Sequence, residues 1–423
     1  MNKYIVFASV LLVFSLNAHA VNGFINHGIG TKSKGMAGAG VALAEDAISG
    51  ALNPANMVYQ GTRMDIGASL FAVDRGFTAY DDADPAAEAV YGKVNPGNYD
   101  SKYPVFLLPQ FGYNYQIDEK SSIGVVTVLG GGNSKYPSAA FDGFLGTTSE
   151  DNNQPVGTDF FQLYVHIPYS RLITDNLSVG VAPILAVETM RLVGLEAWEA
   201  VSSHPNEVTN KGMEFVFGYG ANIGVHYEPT GWLSLGASAQ SRINMEKLDR
   251  YRGVIADDGN LDIPESFQVG AALEITQNLT LLADFQKIYY SNVDATGNSN
   301  DWADYTANLG SNNSSGPDWD DANVKKVGIR WQYNDKTVLR AGFSRTNHIE
   351  PDTFLLVNLL APLVAEDHWS LGMTRQLKNG DELSASLTYS PRETPTGINP
   401  VTGQHIDLFL EQLEFEVTYG RRF

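Results

Sequence analysis

Gln412-Leu413-Glu414-Phe415-Glu416-Val417-Thr418-Tyr419-Gly420-Arg421-Arg422-Phe423 ends the chain. Successive side chains of a strand point to opposite faces, so Leu413, Phe415, Val417, Tyr419 and Phe423 share one face. Gln412, Glu414, Glu416, Thr418 and Arg422 share the other. A face carrying two glutamates and an arginine belongs against water, and an unbroken row of large apolar groups belongs against lipid. A strand with lipid on one side and an aqueous lumen on the other is the unit of a transmembrane β-barrel.

The same alternation recurs upstream. Phe215, Phe217, Tyr219, Ile223, Val225 and Tyr227 interleave with Glu214, Gly218, Gly220, Asn222 and His226. Val327, Ile329, Trp331 and Tyr333 interleave with Lys326, Arg330 and Gln332, and Leu383, Leu387 and Tyr389 with Glu382, Ser384, Ser386 and Thr388. Several runs reach ten residues or more, the length of a tilted membrane strand and longer than the strands of most soluble sandwiches. About fourteen strands are predicted, starting near residues 63, 109, 122, 159, 176, 213, 232, 264, 278, 324, 336, 366, 380 and 408. Short turns such as Asp118–Ser121, Thr276-Gln277 and Asn334-Asp335 alternate with long polar stretches near 75–108, 132–158, 191–212, 247–263, 292–323, 348–365 and 392–407. An even strand number with short turns at one end and long loops at the other is the pattern of bacterial outer-membrane barrels. The expected fold is therefore an all-β, antiparallel transmembrane barrel over residues 63–423, in the outer membrane of a Gram-negative cell.

The N-terminus agrees with export. Lys3, the apolar run Ile5 to Leu16 and the small-x-small step Ala18-His19-Ala20 have the form of a secretory signal over residues 1–20, which would start the mature chain at Val21. The apolar run is too short to span a bilayer as a helix. The 423 residues hold no cysteine, which removes disulfide frameworks and thiolate metal sites. The formal net charge of −20 argues against nucleic acid as a partner. Acidic clusters in the loops (Asp81, Asp82 and Asp84; Asp301, Asp304, Asp318, Asp320 and Asp321) lack the spacing of a calcium loop and suit a solvated surface. No metal and no cofactor is expected.

Residues 21–62 break the alternation. Gly28, Gly30, Gly35, Gly38 and Gly40 crowd together with Ala37, Ala39, Ala42, Ala44 and Ala47. A segment so rich in small residues, placed before the first strand, suits a compact hatch plugging the lumen, where backbone must pass close to the wall. The run Gly35–Gly40 lacks the Lys-Ser/Thr ending of a phosphate loop.

Gly35-Met36-Ala37-Gly38-Ala39-Gly40-Val41-Ala42, then Glu45-Asp46-Ala47 and Asn53-Pro54-Ala55, resemble the hatch of the long-chain fatty acid and hydrocarbon outer-membrane transporter family (FadL-type). Gly130-Gly131-Gly132-Asn133-Ser134-Lys135-Tyr136 at the expected end of the third strand, and Ile263-Pro264-Glu265-Ser266-Phe267, are similar to further stretches of that family. The resemblance implies passive uptake of hydrophobic small molecules, long-chain fatty acids first, aromatic or alkane hydrocarbons as the alternative. It also implies a ligand pocket near the mature N-terminus (Val21, Asn22, Gly23, Phe24) and a lateral exit where the third strand kinks. On this basis Asn53, Pro54 and Ala55 are expected to lie against Gly130, Gly131 and Gly132 as the gate. Arg191, Arg242, Arg330 and Arg340 are candidate partners for a ligand carboxylate. The expected surroundings are lipid, lipopolysaccharide and the barrel-assembly machinery, the last through Phe423, with the protein a monomer. A general porin would explain charged inward positions such as Glu274, Asp284 and Lys326 but has no use for the small-residue segment. A surface receptor would use only the loops. No G-x-S-x-G or H-E-x-x-H motif points to an enzyme.

Overall fold

The computed structural model describes residues 21–22, 24–102, 105–141, 155–301, 308–354 and 356–423; the expected signal at 1–20 and Gly23 lie outside them. Among the described residues fourteen antiparallel strands close into one barrel. They are β1 (Arg63–Ala79), β2 (Val105–Asp118), β3 (Ser121–Tyr136) and β4 (Val156–His166, resuming as Tyr169–Thr174). They continue with β5 (Leu177–Val193), β6 (Glu214–Thr230), β7 (Leu233–Gln240), β8 (Ser266–Thr276) and β9 (Leu279–Ile288). The last five are β10 (Ala322–Asn334), β11 (Thr337–Arg345), β12 (Asp367–Gln376), β13 (Glu382–Glu393) and β14 (His405–Arg422). Small outlying pieces prolong β2 (Gly97–Asp100, paired with β1), β7 and β13. β14 returns to β1 at Ile406↔Ala79 through Glu411↔Asp74 and again at Arg421↔Met64 and Arg422↔Arg63, which closes the ring.

The alternation read in the sequence is the division between lipid and lumen. Phe217 is 59% exposed and Tyr219 67%, while their neighbours Val216 and Asn222 are buried. Near the short turns the outer face carries Tyr115, Tyr169, Tyr227, Trp232, Trp331 and Tyr333, a belt of rings whose polar tips suit the membrane–water boundary.

Residues 24–62 run inside the ring. Their backbone lies against glycines of the wall. A Cβ at Gly342 would stand 2.2 Å from the Met36 carbonyl carbon, one at Gly236 2.4 Å from the Val41 oxygen, and one at Gly180 2.4 Å from the Ala55 nitrogen. Only a residue without a side chain permits such an approach. Glycines scattered over β5, β7 and β11 therefore form one seat for the segment, which is why they look unrelated in sequence.

Ion pairs complete the seat. Glu45 accepts from Arg340 Nε at 2.9 Å and Nη2 at 2.6 Å and from Arg330 Nε at 2.9 Å. Lys32 donates to Glu382 at 2.7 Å, and Lys34 binds Glu414 and, at 2.7 Å, Glu416. Arg63 grips Asp65 with two bonds at 2.7 and 2.8 Å, and Asp65 in turn accepts from Ala47 N at 2.9 Å. Asp284 accepts from the Gly40 and Val41 amides at 2.8 and 2.9 Å. Burial alone would raise the Glu45 carboxyl; the Arg340, Arg330 and Lys32 charges overcome it and hold that carboxyl well below the usual carboxylate range. Inward charges that would suit an aqueous pore, Asp284 and Lys326 among them, are thus spent on holding this segment.

Candidate functional site

The wall is not laddered throughout. β2 and β3 pair from Asp118↔Ser121 up to Phe111↔Thr127 and no further, although β2 goes on pairing with β1 to Ala72↔Val105 and β3 with β4 to Tyr136↔Val156. Above Thr127 the two strands separate. Pro109 lies in the part of β2 that has lost its partner, where a residue with no N–H is tolerated. On β3, Gly131 has φ +97°, and a Cβ there would stand 2.2 Å from the Phe160 carbonyl oxygen. The glycine run is not the end of the third strand, as the sequence suggested. It lies within the strand, where Gly131 departs from extended backbone while pairing with β4 runs on without a register shift, and the strand continues to Tyr136.

The first described residues of the N-terminal segment fill the gap. Val21–Asn22 and Ile25–Asn26 form a two-residue ladder that leaves residue 24 at its turn. Asn26 Nδ2 donates to the Leu129 carbonyl at 2.7 Å, a β3 acceptor that has no β2 ladder to serve. The Phe24 carbonyl oxygen lies 3.4 Å from where a Gly130 Cβ would be. Asn53-Pro54-Ala55 is elsewhere, which corrects the expected gate. Asn53 Nδ2 donates to Val41 O at 2.8 Å and Val225 O at 3.1 Å, and Ala55 O accepts from Ser170 and Ser178 at 2.9 Å each. The tripeptide is a clamp on β4–β6 near the short turns, and residues 24–26 are the part that touches the glycine run.

Above the gap the long loops enclose a cavity of about 160 Å³. Phe24, Phe160, Trp198, Leu309, Trp319 and Leu360 are among its walls, and none of the described residues lining it is charged. The Phe24 ring stands edge-on to Phe160 (5.6 Å between centroids) and to Tyr290 (5.1 Å), with Trp319 at 6.2 Å. A second cavity of about 90 Å³ lies at the gap, bordered by Gly131 and Gly132, and shares Phe24, Phe160 and Leu360 with the first. Phe24 therefore stands between the loop cavity and the opening in the wall.

Of the sequence-named ligand residues, Phe24 lines the apolar cavity. The Val21 and Asn22 side chains and Gly23 lie outside the described set. None of the four arginines lines it. Arg330 and Arg340 hold Glu45, Arg242 pairs with Glu265 at 3.2 Å, and Arg191 bonds Asp159 at 2.6 Å on the face of β5 opposite Met190 and Leu192. Phe160, Trp198 and Trp319 were missed. Trp198 and Trp319 have one signal, aromatic content in stretches too polar to be strands, and Phe160 reads only as one more residue of β4. Among the described residues no three His, Asp or Glu side chains converge on a metal site.

The profile of one family, described as outer membrane protein transport protein (OMPP1/FadL/TodX), matches residues 11–348. The chain belongs to this family. Its members are outer-membrane channels for hydrophobic compounds. The fold is that of the P. putida toluene transporter TodX, at 16% identity and a TM-score of 0.68, covering 94% of this chain and 99% of that one. The Ralstonia pickettii toluene transporter TbuX (18%, 0.63, covering 94% and 99%) and a Pseudomonas aeruginosa FadL homologue (16%, 0.67, covering 95% and 100%) share it. No curated protein matches the sequence. As an OMPP1/FadL/TodX protein the chain resides in the outer membrane.

Proposed function

We propose that this protein takes up hydrophobic small molecules passively, long-chain fatty acids foremost, with aromatic hydrocarbons as the second candidate. The hydrocarbon part of the ligand rests in the loop cavity against Phe24. It then leaves sideways between β2 and β3 into the bilayer. The observation that carries this is the apolar cavity joined through Phe24 to the break in the β2–β3 ladder. Each methylene transferred from water to an apolar site gains about 0.8 kcal/mol, so an exit into lipid keeps that gain where an exit through an aqueous lumen forfeits it. Residues 24–62 act as the hatch, and release requires residues 24–26 to withdraw from β3, which exchanges the Asn26–Leu129 bond for ligand contact. The aromatic alternative draws on the toluene transporters among the structural neighbours.

The test is uptake by cells with and without the gene, using radiolabelled palmitate, toluene and a small sugar. Faster entry of palmitate or toluene with unchanged sugar entry is expected. Phe24→Ala should slow hydrophobe entry and leave the barrel folded. Rapid sugar flux through the reconstituted wild type would sink the proposal in favour of a porin.

A further inference from the structure

The basic residues packed inside the ring are matched with few exceptions. Lys32, Lys34, Arg63, Arg330 and Arg340 each face a carboxylate, and Lys326 donates to the His27 and Gly38 carbonyls at 3.1 and 3.3 Å. Arg75 of β1 is different. Among the described residues it forms no ion pair, and its Nε and Nη2 are buried without a hydrogen-bond partner. Leaving guanidinium N–H groups unpaired away from water is expensive, so such a group awaits a partner.

Its surroundings say which kind. Arg75 lines the cavity at the gap with Gly131 and Gly132. Because Gly132 has no side chain, nothing separates the guanidinium from β3: a Cβ there would already stand 3.8 Å from Arg75 Nη1. The carboxamides of Asn133 and Gln412 line the same cavity, each with a buried, unpaired oxygen position. Either amide turned over presents N–H instead. A guanidinium fork and two carboxamides make a cradle for a planar anion, and a carboxylate matches the fork's two parallel donors. The apolar cavity adjoins it across Phe24, Phe160 and Leu360.

We infer that Arg75 is a specificity station at the lateral gap, which takes the carboxylate of an amphiphilic ligand while its hydrocarbon part occupies the apolar cavity. The inference rests on the proposed uptake route and goes beyond it by assigning the ligand an anionic head and a residue to read it. The four arginines singled out in the sequence cannot serve, since each is engaged elsewhere. A neutral hydrocarbon would pass the same cavities without engaging the station.

The experiment compares palmitate with methyl palmitate, whose methyl ester removes the head group's charge and leaves the hydrocarbon chain unchanged. Binding to the purified full-length protein in detergent is followed by quenching of tryptophan fluorescence, with heat-modifiable gel mobility as the check on folding. Wild type should bind palmitate more tightly than the ester. Arg75→Met should weaken palmitate by roughly 10- to 100-fold, the worth of a hydrogen bond to a charged group, leave the ester within about twofold of wild type, and be partly rescued by Arg75→Lys. Equal weakening of both ligands, or no weakening of palmitate, overturns the inference. If Arg75→Met does not fold, the wild-type preference decides, and equal affinities for acid and ester overturn it. A wild type that binds neither compound would instead remove the uptake reading beneath it.

Discussion

The lumen has two halves built on opposite principles. In the half near the short turns, charges are paired and backbone touches backbone: Glu45 sits between Arg330 and Arg340, and Gly180, Gly236 and Gly342 admit the segment to within contact of the wall. In the half under the long loops the main cavity is walled by aromatic and aliphatic groups, Arg75, Asn133 and Gln412 face the gap beside it, and β2 has let go of β3. Directional pairs fix one geometry, and breaking one strands a buried charge. Apolar contacts are non-directional and let a ring such as Phe24 move without leaving an unmet donor. The proposed uptake route would use both: a segment held fast below and a yielding element above.

If the lower half is held by pairing, the largest effect should come from Glu45→Gln. That variant leaves Arg340, whose side chain is 2% exposed, without its counter-charge. Breaking a buried pair by removing one partner costs about 3–5 kcal/mol. The expected outcome is a lower temperature for the gel shift and the appearance of small-ion conductance in planar bilayers. An unchanged shift and a silent bilayer would mean the glycine contacts alone hold the segment.

Steric seating should come next. Gly180→Val puts a side chain into the Pro54–Ala55 backbone, which has no flexible end to give way. Overpacking of this kind costs roughly 1–3 kcal/mol. Small-ion conductance, smaller than for Glu45→Gln, is expected. Wild-type tightness would show that the clamp can shift along β4–β6 without unseating the plug.

The two halves were not equally legible in the sequence. Strand positions emerged because lipid on one side and lumen on the other impose period two, and most expected starts fall within two or three residues of those observed, as at Arg63 and Glu214. The exception is β2, expected from 109 and beginning at Val105, because Pro109 reads as a strand breaker until the missing β3 partner is known. The small-residue segment was legible as something that passes close to a wall. What it touches was not: the resemblance set Asn53-Pro54-Ala55 against Gly130–Gly132, and contacts across more than seventy positions carry no local pattern. The apolar cavity was invisible for the same reason. Its walls come from the N-terminal segment, the upper ends of β4 and β5 and several separate loops, which no local pattern brings together. Arg75 was hidden because the sequence reading placed it at the head of the polar stretch 75–108, whereas the strand runs on to Ala79.

A third effect should fall on the upper half alone. Gly131 holds φ +97°, and a β-branched residue there carries strain of about 1–3 kcal/mol. Gly131→Val should draw β3 toward a regular strand and the β2–β3 ladder upward past Phe111↔Thr127. Palmitate or toluene uptake should fall while sugar tightness and the gel shift stay as in wild type. Normal hydrophobe uptake in a folded Gly131→Val would mean that the Gly131 conformation does not make the exit.

The smallest effect is a pH dependence confined to the loops. Glu350, in the loop between β11 and β12, accepts from Leu363 N at 2.6 Å and Asn358 Nδ2 at 2.7 Å, and Leu363 lines the apolar cavity. Burial pushes its carboxyl up to about 7. A carboxyl whose folded value lies above its ordinary 4.5 binds its proton more tightly in the closed loop than in the open one. The stability it lends the closed loop is therefore complete below the ordinary value and is lost as pH rises through about 7. One pKa unit corresponds to about 1.36 kcal/mol, and only part of the shift is released when a single loop opens, so ligand dissociation should quicken by less than about tenfold between pH 5.5 and 8.5. Glu350→Gln keeps the shape and removes the titration, so its dissociation rate should be flat over that range and sit near the low-pH wild-type value. The measurement is stopped-flow release of palmitate monitored by tryptophan fluorescence. A Gln variant that keeps the wild-type slope would place the pH dependence on another group, and a wild type with no slope would mean that this loop does not limit release.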